Sequence, residues 1–219
     1  MKHNTWVIIP AHNEEKEIKE VIKKTKKYVD NIVVVDDGST DKTYEAAKNA
    51  NVVVLRHVVN LGKGAALKTG CEYAIKKGAD NLILIDADSQ HDPKEIPNFI
   101  TNLNKVDIVF GYRKKSKNMP FILRFGNLFI RETINLLFNI KLNDPLCGYR
   151  AFKSRIYKKI RWNASDYSIE SEMVTKVGKR NLNYKEIPIQ TIYSDRYKGT
   201  TIIDGIKIVL NVLWWRLAR

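Results

Sequence analysis

Residues 82–93 read LILIDADSQHDP: an apolar run, Leu82 to Ile85, stops on Asp86 and Asp88 with Ala87 between them. In an extended segment alternate side chains share a face, so Asp86, Asp88 and Gln90 point one way while Ala87 points back. Two carboxylates about 6–7 Å apart along a strand repel each other unless a partner neutralises them. The same texture recurs along the chain. TWVIIP (5–10), NIVVVDD (31–37), NVVVLR (51–56) and VDIVFGYR (106–113) are further short β-branched runs. Helical patterns lie between them at residues 14–29, 41–50, 64–78 and 93–104. Continuous apolar strands alternating with helices predict an α/β domain, with a mainly parallel central sheet covered on both faces. Ligands of such sheets bind beyond the carboxyl ends of the strands. Here those ends read PAHNE, DDGSTD and DADSQH.

Each strand end has a chemical reading and a plainer one. A divalent cation would resolve the repulsion at Asp86 and Asp88, since magnesium is held by one or two carboxylates with water and substrate phosphate completing the shell. The plainer reading is a turn capping the helix that begins at Pro93. VVVDDGSTD (33–41) offers carboxylates to a base N–H or a ribose hydroxyl, or it is only a strand–turn–helix connection. NLGKGAALKTG (60–70) supplies glycines that allow close backbone approach, with Lys63 able to meet phosphate. It is not a dinucleotide fingerprint, because Leu67 stands at the third glycine position.

Composition narrows the classes. A chain of 219 residues with 44% hydrophobic content fits one domain, residues 1–219. Its halves differ: residues 1–113 carry the strand–helix alternation, and residues 114–219 carry arginine-studded apolar helices. Cys71 and Cys147 match no metal-ligand spacing and fit a reducing compartment. The net charge of +14 favours polyanions, phosphorylated molecules or anionic lipid. The start has too short an apolar segment for a signal peptide, and no stretch reaches the roughly 20 apolar residues that span a bilayer. A peripheral protein at the cytoplasmic face of the cell membrane is the expectation. A basic nucleic-acid-binding α/β protein is the remote alternative, and it leaves the strand-end carboxylates unexplained.

PAHNEE (10–15), VVVDDGSTDKT (33–43), NLGKGAALKTG (60–70) and DADSQHDP (86–93) together resemble glycosyltransferase family 2, the inverting, nucleotide-sugar-dependent enzymes with the GT-A fold. The resemblance implies that Pro10, Ala11, Asn13, Glu14, Asp36 and Asp37 hold the nucleoside. Lys63 would lie near the base or diphosphate and Asp86 near the sugar or ribose. Asp88 and Gln90, with Asp86 beside them, would hold Mg2+ or Mn2+.

The second half is similar to the polyprenyl-phosphate members, the dolichyl-phosphate mannose, glucose and N-acetylglucosamine synthases, through NDPLCGYRAFKS (143–154), YSIESEM (167–173) and residues 184–200. That likeness implies a polyprenyl or dolichyl monophosphate acceptor, whose oxygen is already anionic and needs positioning more than deprotonation. It makes Arg113, Arg124 and Arg196 the acceptor-phosphate candidates, with Arg131 in reserve. Glu172 would orient the donor sugar or lipid phosphate, or pair with an arginine. Thr200 and Thr201 stand where related sequences often have Ser-Lys, which leaves Lys198 as the substitute contact. Cys147 is expected to pack beside its turn and not to act as a nucleophile. A UDP-sugar donor, glucose or N-acetylglucosamine, is favoured; GDP-mannose and a soluble acceptor are the alternatives. The last helix sets Ile202, Ile206, Val209 and Leu213 on one side and ends on Trp214, Trp215, Arg216 and Arg219, as suits an anionic membrane surface.

Overall fold

Val33, Val34 and Val35 are all fully buried, and they alternate between two cores. That is possible only for a strand covered on both faces. The computed structural model describes residues 4–113, 121–166, 168–190, 209–212 and 214–216, the side chains of 121–125 and 127 excepted. Its strands are β1 (Thr5–Ala11), β2 (Asn31–Asp37), β3 (Val53–His57), β4 (Asn81–Leu84), β5 (Ile108–Arg113), β6 (Arg150–Lys153) and β7 (Tyr184–Ile189). They form one sheet in the order β3-β2-β1-β4-β6-β5-β7. All pairings are parallel except those of β6, which runs antiparallel to β4 and β5.

The helices are α1 (Ile18–Thr25), α2 (Thr43–Lys48), α3 (Lys63–Lys76), α4 (Ile96–Leu103), α5 (Phe121–Phe138), α6 (Tyr157–Ile160) and α7 (Ile169–Lys179). Ile8, Val33, Val35, Leu82 and Leu84 share one core with Leu67 of α3, Ile134 of α5 and Met173 of α7. Val7, Ile9, Val34, Ile83 and Ile85 share the other with Ile22 of α1, Ala47 of α2 and Phe99 of α4. Gly70 explains how closely α3 lies on the sheet: a Cβ there would meet Ile8 Cγ2 at 2.4 Å.

The expected α/β, GT-A-like architecture is present, with three differences of detail. The helix expected over 14–29 is α-helical only from Ile18 to Thr25, because residues 14–17 form a turn in which Glu14 C=O accepts the Ile18 N–H at 3.0 Å. β4 ends at Leu84, before the carboxylates. β6 was not expected at all; it pairs Arg150 with Leu84 of β4 and with Phe110 of β5.

This topology fixes where a ligand can sit. From β1 the chain builds outward through β2 to β3, then returns to lay β4 on β1's other side. The carboxyl ends of β1 and β4 therefore border the crevice where strand order reverses. Pro10 fits that geometry: β1 pairs with β4 only from Thr5 to Ile8, so at Pro10 a missing N–H costs no bond to β4.

Candidate functional site

The β1 and β2 ends are knotted together. Asn13 takes a left-handed backbone, φ +56°, which asparagine tolerates better than most residues. Its N–H donates to Ser39 Oγ at 3.0 Å, and its Oδ1 accepts the Thr40 N–H at 2.9 Å. The Glu14 N–H donates to Thr43 Oγ1 at 2.7 Å. Pro10 and Ala11 are buried beneath this knot. Asp36 is fully buried. Its Oδ1 accepts the Ser39 N–H at 3.3 Å; its Oδ2 lies 3.0 Å from Arg56 Nε as a charge pair without an aligned hydrogen bond. The Arg56 guanidinium in turn sits 4.6 Å from the centre of the Tyr44 ring. Asp37 is a clamp. Its Oδ1 meets His57 Nδ1 at 2.6 Å and the Leu61 N–H at 3.0 Å, and its Oδ2 accepts the Gly62 N–H at 2.8 Å.

The second group lies at the end of β4. Lys63, the first residue of α3, places Nζ 2.7 Å from Asp86 Oδ1 and 2.9 Å from Glu170 Oε1. Burial opposes both charges in this pair, and the pairing outweighs it. Burial would raise the Asp86 carboxyl, yet the Lys63 charge holds it down at about 2. Burial would lower the Lys63 ammonium, yet Asp86 and Glu170 raise it. Asp88 behaves oppositely: burial first and the Asp86 charge second push its carboxyl up. Ser89, with φ +63°, turns the chain so that Asp88 Oδ1 accepts the Gln90 N–H at 3.0 Å. Buried His91 then returns beneath Asp86, its Nδ1 accepting the Asp86 N–H at 3.2 Å. Burial lowers the pKa of this imidazole, and an Nδ1 that accepts an amide proton is the unprotonated nitrogen of a neutral ring.

The glycines around Lys63 work differently from the sequence reading. A Cβ on Gly62 or Gly64 would fall 2.3 Å and 2.2 Å from the carbonyl oxygens of Ser165 and Ala164. The close approach they permit is that of the 164–165 backbone, and the Gly64 N–H donates to Ser165 C=O at 2.7 Å. Gly148 is the glycine that opens the site. Its Cβ would stand 3.0 Å from both Asp86 Oδ2 and Lys63 Nζ.

Arg113 closes the crevice from the β5 side. Its Nε and one terminal nitrogen donate to the two Asp144 oxygens at 2.7 and 3.0 Å, a bidentate fork. Asp144 is held in turn by Glu186 of β7, which accepts its N–H at 3.0 Å. Arg150, buried beside β4, donates to the carbonyls of Cys147, Pro145 and Glu170 at 2.8, 2.7 and 2.7 Å. It staples the 145–147 turn to the start of α7 and so sets Glu170 against Lys63. Glu170, Asp144, Arg150 and His91 were not singled out in the sequence.

Glu172, the expected α7 carboxylate, is turned away from this cluster. Its oxygens accept the Asn163 and Ala164 N–H groups at 3.0 and 2.8 Å, and Lys176 pairs with it at 2.6 Å. Cys147 is buried, and burial pushes its thiol up to about 12, so it is no thiolate nucleophile. α5 carries Arg124, whose side chain lies outside the described residues. Arg131 of the same helix pairs with Glu132. Arg196, Lys198, Thr200, Thr201, Ile202, Ile206, Leu213 and Arg219 lie outside the described residues.

The donor set fits a hard divalent cation. Among the described residues no three or more His, Cys, Asp or Glu stand together as a metal-ligand set. Two carboxylates and an amide on one turn instead leave positions for water and phosphate, as magnesium and manganese prefer. Burial, and then the Asp86 charge, push the Asp88 carboxyl up, and a cation there would favour its ionised form.

The model of a family described as glycosyl transferase family 2 matches residues 6–161. A Methanococcus voltae protein named UDP-N-acetylglucosamine–dolichyl-phosphate N-acetylglucosaminyltransferase is 34% identical, the match covering 98% of this chain and 96% of that one. An undecaprenyl-phosphate mannosyltransferase of Micrococcus luteus is 28% identical, over 96% and 93%. Among solved structures, a glucosyl-3-phosphoglycerate synthase from Mycobacterium tuberculosis, in complex with Mn2+, UDP and phosphoglyceric acid, superposes with a TM-score of 0.80. It is 20% identical, and the match covers 99% of this chain and 79% of that one.

Proposed function

The chain belongs to glycosyl transferase family 2, and from that premise we propose that it transfers a sugar, with inversion, from a UDP-sugar to a phosphate-bearing acceptor. The observation that carries the reading is the pairing of two groups across one crevice. The Asn13–Asp36–Asp37 knot borders it on one side, and the Asp86–Asp88–Gln90 turn with Lys63 on the other. In this reading Pro10, Ala11, Asn13, Glu14, Asp36 and Asp37 form the nucleoside end. Fully buried Asp36 supports this end from beneath, its Oδ2 paired with Arg56 and its Oδ1 accepting the Ser39 N–H. Asp88 and Gln90, with Asp86, would hold Mg2+ or Mn2+, which when bound neutralises the diphosphate as it leaves. Lys63 supplies a fixed positive charge at the same place. Arg113, with Arg124 and Arg196 proposed beside it, receives the acceptor phosphate through paired N–H donors.

For the acceptor, two readings have support. A polyprenyl phosphate is supported by relatives whose names carry dolichyl and undecaprenyl phosphate, at 34% and 28% identity over nearly the whole chain. It is supported also by exposed apolar side chains at Phe129, Leu136, Leu210 and Trp214. That acceptor would be met at a membrane surface, and no helix among the described residues is long and apolar enough to cross one. A soluble phosphorylated acceptor is supported by the fold likeness, which runs over 99% of this chain to a glucosyl-3-phosphoglycerate synthase in complex with phosphoglyceric acid. GDP-mannose remains the alternative donor, supported by the mannosyltransferase relative.

Nucleotide release decides among these. UDP-glucose, UDP-N-acetylglucosamine and GDP-mannose are each offered with Mg2+ and either a polyprenyl phosphate or 3-phosphoglycerate. Release of UDP that depends on polyprenyl phosphate is the expected result. Release with 3-phosphoglycerate alone replaces the lipid reading with the soluble one, and release with neither overturns both.

A further inference from the structure

His91 is built into the carboxylate turn by two different contacts. Its Nδ1 accepts the Asp86 N–H at 3.2 Å and lies 3.6 Å from Asp86 Oδ2. Its ring lies 5.1 Å from the Tyr149 ring, and Tyr149 stacks at 4.4 Å on Phe99 of α4. Between Asp86 and His91 the chain reverses through the left-handed Ser89. The loop 86–91 is thus closed by one side-chain acceptor reaching back to its first N–H.

That closure matters because β4 has already ended at Leu84. The Ile85 N–H still donates to Ile8 C=O at 3.2 Å, but the next N–H, that of Asp86, is bonded to an imidazole instead of a strand. The backbone at Asp86 is therefore fixed by residue 91, while Lys63 holds its carboxylate from the other side. Residue 91 thereby also bears on the separation of Asp86 from Asp88, whose carboxylate is tied to the following turn through the Gln90 N–H.

We infer that His91 is a positioning residue for the divalent cation: its Nδ1 lone pair, and not the bulk of its ring, fixes the turn that presents Asp86, Asp88 and Gln90. The inference rests on the cation reading proposed above and adds to it a residue that would touch neither ion nor substrate. Outer partners of this kind typically set metal affinity by about 10–100-fold.

Three substitutions separate acceptor from bulk. In His91→Asn the amide oxygen stands where Nδ1 stood and can accept the same N–H. In His91→Gln the oxygen reaches the Nε2 position instead. His91→Phe keeps the ring on Tyr149 and removes the acceptor. Mn2+ affinity is measured in the presence of UDP, by calorimetry or by the Mn2+ electron spin resonance signal, alongside melting temperature. His91→Asn is expected to bind Mn2+ within about threefold of the parent, while His91→Gln and His91→Phe bind about tenfold or more weakly. Affinity in His91→Phe equal to or above that in His91→Asn overturns the inference, since the acceptor would then contribute nothing. Should His91→Phe not fold, equality of His91→Gln with His91→Asn overturns it in the same way. If the parent binds Mn2+ and UDP but no variant differs, only this inference falls. If the parent binds neither, the cation reading falls, and this inference falls with it.

Discussion

Lys63 Nζ lies 2.7 Å from Asp86 Oδ1 at the mouth of the crevice, with Glu170 2.9 Å away on its other side. One ammonium thus serves two carboxylates, and the Asp86 side chain keeps a quarter of its surface exposed. The depressed Asp86 carboxyl contributes stability that is present above its unfolded value of about 3.9 and lost as pH falls towards about 2. Lys63→Met leaves both carboxylates without this partner. It should destabilise the fold at pH 7 by roughly 3 kcal/mol, the low end for a broken buried pair because Asp86 is partly solvated. The variant's carboxylates are then relieved by protonation. The gap in melting temperature between parent and variant should therefore narrow from pH 7 to pH 4. A gap that stays constant over that range contradicts the pairing.

Asp88 is pushed the opposite way, and the sign of the effect reverses with it. Its folded pKa is raised, so the ionised form costs stability above that value and the cost disappears as pH falls. Asp88→Asn keeps an Oδ1 to accept the Gln90 N–H while removing the charge that Asp86 repels. The variant should melt at or above the parent's temperature at pH 7. Its turnover should fall by about 100-fold or more, a loss of some 3 kcal/mol of transition-state stabilisation. Unchanged turnover at saturating Mg2+ would remove Asp88 from the cation site.

How far the sequence foretold this site depends on where each residue sits. The strand-end carboxylates were legible because a hydrophobic run that stops on Asp has few structural uses. β6 was not, because RAFK is short, lacks a β-branched residue and follows a turn-rich segment; tertiary pairing made it a strand. The two α7 glutamates show a different limit. Glu170 and Glu172 are both buried on a helix enclosed on nearly every side, so periodicity could not say which of them meets Lys63. Arg150 decides it, by a bond to a backbone carbonyl that no side-chain pattern records. The NLGKG glycines were legible as sites of close approach, but not what approaches them, since the 164–165 backbone arrives from 100 residues away.

The two glutamates should separate cleanly in solution. Glu172 accepts two backbone N–H groups and is almost wholly buried. Glu172→Gln should lower stability by about 1–3 kcal/mol while kcat per folded molecule stays within about threefold, under 1 kcal/mol of barrier. Glu170→Gln should instead alter the pH dependence of activity by changing the partner of Lys63. The reverse pattern would return Glu172 to the site.

Arg113 tests the acceptor end. Its fork to Asp144 fixes the orientation of the guanidinium and leaves the side chain 35% exposed. Arg113→Lys preserves the charge but not the paired N–H geometry. Acceptor KM should rise, or kcat fall, by about tenfold, roughly 1.4 kcal/mol, with donor affinity unchanged. Equal weakening of donor and acceptor would move Arg113 to the diphosphate.

The membrane reading has its sharpest test in the segment 209–216. Leu210 and Trp214, four residues apart on one helical face, are 61% and 67% exposed. Val212 is buried in the core with Phe138 of α5, and Trp215 packs against that cluster. Asn211 Nδ2 donates to Ser168 Oγ at 3.2 Å, so the segment is docked by one face and leaves Leu210 and Trp214 outside. Trp214 and Trp215 therefore do different work, and replacing both would confuse anchoring with folding. Leu210→Ser with Trp214→Ser is the informative pair. An exposed apolar pair flanked by Arg216 suits the headgroup zone, where each nearby basic residue adds about 1 kcal/mol on anionic lipid. The parent should sediment with anionic liposomes, less so as salt rises, and the double variant should lose most of that binding while melting as the parent does. A variant that sediments as well as the parent would assign Leu210 and Trp214 to some other contact and leave the soluble acceptor as the better reading.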